Sequence, residues 1–211
     1  MKIAFFSESL ADEAALKIIV AGILGEEIEE TDLPNTMIQR SSSHVDKLLP
    51  SVINAIHYGS NAEALIVVSD SDDTLVHVQS HEEEENDDCR ICKLRKIISE
   101  TVSKLQEVPG KEIIKVAIGV PVPAIEAWYL CGVNGQVNEV AWIRKQNGGQ
   151  VPYDRKSLKI ELYGSDRPSI ETLREKAVES AERLVENLEQ LEDFFPQGFG
   201  CLTNEVRNWK K

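Results

Sequence analysis

Four acidic residues stand where a chain of this kind most readily builds chemistry: Glu8 and Asp12 after one apolar run, Asp70 and Asp72 after another. Both runs, KIAFF at residues 2–6 and ALIVVSD at 64–70, have the short, continuous apolar character of buried parallel strands. In an open parallel sheet, ligands collect outside the carboxyl ends of the strands. A hard cation such as Mg²⁺ or Mn²⁺ takes a few carboxylate oxygens and keeps several waters, so two acids from each of two strand ends suit it. In an extended Asp-x-Asp, both side chains leave on one side and reach one ion. Read alone, SDSDDT is also a good turn sequence, and acids at strand ends also cap helices.

A fifth acid, Glu126, lies in PAIEAWYL between Ile125 and Trp128, directly after a third buried run. A carboxylate there is costly to bury unless paired or metal-bound, although it also reads as the polar face of an amphipathic helix. The basic residues fall in small groups. Lys93, Arg95 and Lys96 open one helix; Arg155, Lys156 and Lys159 open another; Arg144 and Lys145 read as a loop before Asn147. Arg155 and Lys156 are the candidates for holding a phosphate, with a plain role as surface charges as the alternative. A separate set, His77, His81, Cys89 and Cys92, offers four ligands for Zn²⁺. Its spacing is not that of a standard zinc finger, and Cys92, at the start of an amphipathic helix, also reads as core.

The elements that must position these residues follow from periodicity and breakers. DEAALKIIVAGIL reads as a helix closed by Gly25, with acids in its first turn favoured by the helix dipole. EIEETDL is a weaker second strand. Residues 43–59 read as a helix that Pro50 kinks or splits, and 92–108 as an amphipathic helix ended by Pro109. EIIKVAIGVPVP is a further buried strand, and Pro123 starts the helix that carries Glu126. Alternating strands and helices predict an α/β protein: a mostly parallel, Rossmann-like sheet flanked by helices. After it come only helices, a short one near KSLKIELYG, a long one from Ser169 to Phe194 and a terminal one near CLTNEVRNW. The expected organisation is an α/β core over 1–140, with a helical extension over 141–211 packed on the same domain.

A chain of 211 residues is long enough for one sizeable core. No apolar run approaches the roughly 18 residues of a membrane span, and four cysteines without a secretion signal are expected to stay reduced, so the expected location is cytoplasmic, with no membrane partner. The net charge of −13 argues against a broad nucleic-acid surface, which is ordinarily basic, but not against a small metal-bridged one. Six carboxylates fall between Glu82 and Asp88, a run that reads as a solvated loop, a lid or a gatekeeper against other polyanions.

The pattern FFSES-x-x-DE, a strand ending VVSDSDDT and a proline-led IEAWYL helix together resemble a family of undescribed bacterial proteins related to Toprim domains. KSLKIELYG and FPQGFGCLTNEVRNW are similar to that family's closing segments, so the resemblance spans nearly the whole chain. It implies a Toprim-like sheet and a relation to the overcoming-lysogenisation-defect nucleases, in which a glutamate after the first strand and an Asp-x-Asp hold Mg²⁺ for phosphodiester chemistry. By position, Glu8 matches that glutamate, Asp12 the acid that follows it, Asp70 with Asp72 the Asp-x-Asp, and Glu126 the helix glutamate. Ser9 departs from the motif, which has Gly there. The expected function is a Mg²⁺- or Mn²⁺-dependent nuclease, with Glu8 as ligand or general base and Arg155 or Lys156 neutralising the phosphate. The alternative is a non-catalytic or partner-dependent component of a larger complex, such as a defence system with an ATPase. No G-x-x-x-x-G-K-[ST] occurs, so an ATP-driven step would need another protein.

Overall fold

The computed structural model describes residues 1–31, 33, 42–150 and 153–210, with the side chains of 42–44 outside that description. Four strands, β1 (Lys2–Phe6), β2 (Glu29–Glu30), β3 (Ala64–Val68) and β4 (Lys115–Gly119), pair in the order β2-β1-β3-β4. Every pairing is parallel, with Ile3 beside Ala64 and Ala64 beside Lys115. Because successive strand side chains point to opposite faces, the sheet carries two cores. Ile3, Phe5, Ile66, Val68 and Ala117 enter one, and Ala4, Phe6, Leu65, Val67 and Ile118 the other.

Helices cover both faces. On the first lie α1 (Leu10–Leu24), α5 (Ile125–Tyr129), α8 (Ile170–Leu184), α9 (Leu188–Phe194) and α10 (Gly198–Asn208), and on the second α2 (Ser42–Gly59) and α4 (Arg90–Val102). Between them run the short α3 (Ser80–Glu83), α6 (Glu139–Gln146) and α7 (Arg155–Tyr163). The C-terminal helices share a core with the sheet: Ala181, Leu184, Phe199 and Leu202 pack in one cluster with Phe5 and Val68. A boundary drawn at residue 140 falls inside α6.

Several elements differ from the sequence reading, each for a local reason. The expected second strand is two residues long, and Asp32 within EIEETDL lies outside the described residues. Pro50 sits inside one unbroken helix, so there is no split. The helix expected over 92–108 spans Arg90–Val102, ending well before Pro109. The long helix expected over 169–194 breaks at Val185–Asn187, because Asn187 leaves the helical backbone and its side chain accepts from the Gln190 N–H to start α9. Arg144 and Lys145, expected in a loop, occupy the last turn of α6, which Asn138 caps by accepting from the Ala141 N–H. Gly25 closes α1 as expected, with φ of 64°.

Candidate functional site

The carboxyl ends of β1, β3 and β4 lie side by side, and the acids sit just beyond them. After β1, Ser9 caps α1, its hydroxyl accepting from the Ala11 N–H. At φ −140° it has an ordinary extended backbone, so nothing there requires glycine, and serine is the better cap. Glu8 precedes the cap and Asp12 occupies the first turn. After β3, the chain continues alongside the segment following β4: Ser71 N–H donates to Pro121 O and Asp72 N–H to Pro123 O. That ladder carries Asp70 to the start of α5, where its Oδ1 accepts from the Ile125 N–H at 3.0 Å. Glu8 lies directly against this turn, its Oε1 accepting from the Asp70 N–H at 2.9 Å and from the Ser69 hydroxyl at 3.1 Å.

Glu126 and Tyr129 are three residues apart on α5 and so share a face. The Tyr129 hydroxyl donates to Asp12 Oδ1 at 3.1 Å, tying α5 to α1, and Glu126 is almost wholly buried. Four carboxylates thus belong to one electrostatic cluster. Burial, with Glu126 and Glu8 adding repulsion, pushes Asp12 up to about 7, against the bond from Tyr129 and the pull of Lys159. Burial and the charges of Glu8, Glu126 and Asp12 hold Asp70 well above the usual carboxylate range, although Arg155 opposes them. Burial and Glu8 raise Glu126, against its own backbone N–H and Lys159. The Tyr129 hydroxyl is raised by burial and by Asp12, and the Tyr163 hydroxyl by burial, Glu126 and Asp12.

Asp72 does not face this cluster in the way an extended Asp-x-Asp would place it. Its φ is 52°, in the left-handed region, so the alternation expected for a strand ends at Ser71. Its carboxylate meets two guanidinium groups instead. Arg155 spans the Asp-x-Asp, with one nitrogen 2.8 Å from Asp70 Oδ2 and the other on Asp72 Oδ1, while Arg90 stands 3.4 Å from Asp72 Oδ2. Arg90 also holds Asp46 of α2 through two bonds of 3.0 and 2.9 Å.

Of the two phosphate-holding candidates, Arg155 reaches the acids and Lys156 does not. Lys156 pairs with Asp166 at 3.3 Å and points away, as one residue turns a helix by about 100°. The same geometry brings Lys159 and Tyr163 round to the face of Arg155, at i+4 and i+8. Lys159 stands 3.9 Å from Glu126. Lys93 is occupied by Asp46, Arg95 by Glu82 and Lys145 by the Trp142 ring. Tyr129, Tyr163 and Arg90 were not singled out by sequence reasoning. The i, i+3 step from Glu126 to Tyr129 and the i+8 step from Arg155 to Tyr163 were the readable signals. Asp154 holds α7 in place through a reciprocal capping box with Ser157. Asp154→Ala is expected to cost ~1 kcal/mol, read as a melting temperature a few degrees lower.

The second candidate set also comes together. His77, His81, Cys89 and Cys92 place one ligand atom each within 4.8 Å of the others, the one group of this kind among the described residues. The acids do not gather as tightly. Glu82, the first acid of the expected loop, is not solvated at random: it accepts from His77 and Arg95, and a helical turn, α3, begins the run. Burial lowers the His77 pKa and pushes the Cys89 thiol up to about 11.

Among the described residues, no helix is long and apolar enough to cross a membrane. No family model, curated protein or solved structure matches the chain.

Proposed function

We propose that this chain is a Mg²⁺- or Mn²⁺-dependent phosphodiester-cleaving enzyme, a nuclease built on a Toprim-type acidic site. One observation carries the reading: Glu8, Asp12, Asp70 and Glu126 are gathered from three neighbouring strand ends with more buried negative charge than Lys159 and Arg155 offset. Structural acids are ordinarily paired one to one, whereas here burial and neighbouring carboxylates raise Asp12, Asp70 and Glu126 together, as expected where carboxylates share a cation. The donor set is all oxygen, which fits a hard divalent ion and not a soft one. Glu8, Asp12, Asp70 and Glu126 would hold it. A bound Mg²⁺ or Mn²⁺ supplies an activated water and neutralises charge on the leaving oxygen.

The chain's own groups account for the rest. Ser69 and the Asp70 N–H fix one oxygen of Glu8, leaving the other for a cation or for a proton from water. Tyr129 orients Asp12, and Ile125 orients Asp70. Arg155, two-fifths exposed, is the group that can swing from the Asp-x-Asp to a phosphate. Among the described residues, the basic groups that meet these acids are Arg155, Arg90 and Lys159, so the site suits a short stretch of nucleic acid, DNA or RNA, held through the ion.

The test is incubation of the pure chain with labelled single- and double-stranded DNA and RNA, with Mn²⁺ or with chelator. Metal-dependent cleavage supports the proposal; absence of both Mn²⁺ binding and cleavage contradicts it. Arg155 lying between Asp70 and Asp72 favours a second reading, a component of a larger complex that needs a partner, such as an ATPase, to release that latch. Mn²⁺ binding without cleavage by the chain alone is its signature. On either reading, Arg155→Ala is expected to bind Mn²⁺ about tenfold more tightly, because a cation that competes for Asp70 and Asp72 is gone. Isothermal titration checks it. For the enzyme, cleavage by this variant is also slower, since the phosphate loses its guanidinium.

A further inference from the structure

The loop after β3 and the start of α4 meet at His77, His81, Cys89 and Cys92. We propose that these four residues form a closed, structural Zn²⁺ site that pins the Asp72 loop to α4. Two of its edges have the length of a tetrahedral centre, and all four ligand atoms lie within 4.8 Å of one another. With Zn–S about 2.3 Å and Zn–N about 2.0 Å, the sulfur–nitrogen edge of the tetrahedron is about 3.5 Å. His77 Nδ1 lies 3.5 Å from Cys89 Sγ and 3.6 Å from Cys92 Sγ.

Hydrogen bonding among neutral groups does not satisfy this arrangement. His77 Nε2 is 2.7 Å from Glu82 Oε1, so it carries the ring proton, and Nδ1 is left with one lone pair facing two sulfurs. One lone pair accepts one S–H well, not two. His81 Nδ1 is buried with no hydrogen-bond partner, beside the His77 ring. A single cation uses the lone pair, both thiolates and the second imidazole together. Zn²⁺ replaces two thiol protons, which leave to solvent, and the centre of two thiolates and two neutral imidazoles carries no net charge. That suits a place where Cys89, Cys92 and His77 are nearly inaccessible.

The surroundings are those of a metal centre. Glu82 orients His77 in the carboxylate–histidine manner, and Arg95 at 2.6 Å holds Glu82 in turn. This gives the first acid of the Glu82–Asp88 run a specific role. Four protein ligands leave no open position, so the ion is structural. Cys89 is the cap of α4 and Arg90 its first residue, so fixing Cys89 fixes the guanidinium that meets Asp72 and Asp46.

The test needs no assumption about the acidic site. Full-length chain, purified without added metal or chelator, is assayed for zinc by mass spectrometry, then stripped and reloaded with Co²⁺. The expected result is about one zinc per chain, and a Co²⁺ spectrum with the intense visible bands of a tetrahedral centre and a thiolate charge-transfer band. Cys89→Ser with Cys92→Ser should lose both, while Asp70→Asn with Asp72→Asn should keep both. Because loss of the ion can itself destabilise the cysteine variant, His81→Ala serves as a second variant: it should keep the thiolate band but change the coordination bands. Zinc at background in the wild type with no tetrahedral Co²⁺ spectrum overturns the proposal, as does a Co²⁺ spectrum that persists without both cysteines.

Discussion

Asp12→Asn combined with Glu126→Gln is expected to melt several degrees above the wild type in metal-free buffer at pH 7.5, and to gain nothing from Mn²⁺. Asp12 has its pKa raised from 3.8 to about 7, and Glu126 and Asp70 are raised as well. Between about pH 4 and pH 7 the unfolded chain has released the Asp12 proton and the folded chain still holds it, and the raised Glu126 and Asp70 act in the same direction. Stability falls with pH wherever the folded state binds more protons. The wild type without metal should therefore lose stability as the pH rises through that window. A carboxamide removes the charge and keeps an oxygen to accept from Tyr129, so the double variant should show a flatter profile. A gain of roughly 2 kcal/mol in a chain of this size raises the melting temperature by about 4–8 °C. In the wild type, Mn²⁺ at about a hundred times its dissociation constant should restore ~2.7 kcal/mol, and the variant should lack this response. Thermal melts from pH 4 to pH 8, with and without Mn²⁺, decide it. A variant that melts lower at every pH would mean that these acids are structural partners and not ligands.

The largest effect on activity is expected from Glu8→Gln and Asp70→Asn, each slowing metal-dependent cleavage by about 10²–10³-fold, the loss typical of one preorganised electrostatic group. The two differ in what else they change. Glu8 contacts the turn through one oxygen, which the carboxamide retains, so its variant should fold as the wild type does. Asp70 accepts from both Ile125 and Arg155, so its variant also frees the guanidinium. Lys156→Ala is the matched control, since Lys156 pairs with Asp166 outside the cluster and its loss should leave cleavage unchanged. Single-turnover rates with each variant give the comparison. Equal rates for Glu8→Gln and Lys156→Ala would remove Glu8 from the reaction.

Much of this arrangement was legible in the sequence because it rests on local rules. Continuous apolar runs marked β1, β3 and β4, and the acids following them pointed to the sheet edge where Glu8 and Asp70 lie in contact. The apolar neighbours of Glu126 left burial and a polar helix face both open, and the fold buries it. What was not legible depends on tertiary geometry. The left-handed backbone at Asp72 turns its carboxylate to Arg155 and Arg90, and nothing in SDSDDT announces that turn at that residue. Arg155, Lys156 and Lys159 read alike in the sequence; helical phase separates them, turning Lys156 to Asp166 and bringing Lys159, four residues on from Arg155, to Glu126. The break at Asn187 and the cap at Asn138 were readable as cap residues, but continuous helical periodicity concealed the first, and a short helix rich in polar residues the second.

Crystals of the zinc-replete protein soaked in Mn²⁺, with anomalous maps collected on both sides of the manganese edge, would locate the ion directly. The expected peak lies among Glu8, Asp12, Asp70 and Glu126, with Arg155 withdrawn from Asp70. A map with no manganese on those carboxylates, or with manganese only at His77, His81, Cys89 and Cys92, would contradict the metal-dependent acidic site on which the proposed activity rests.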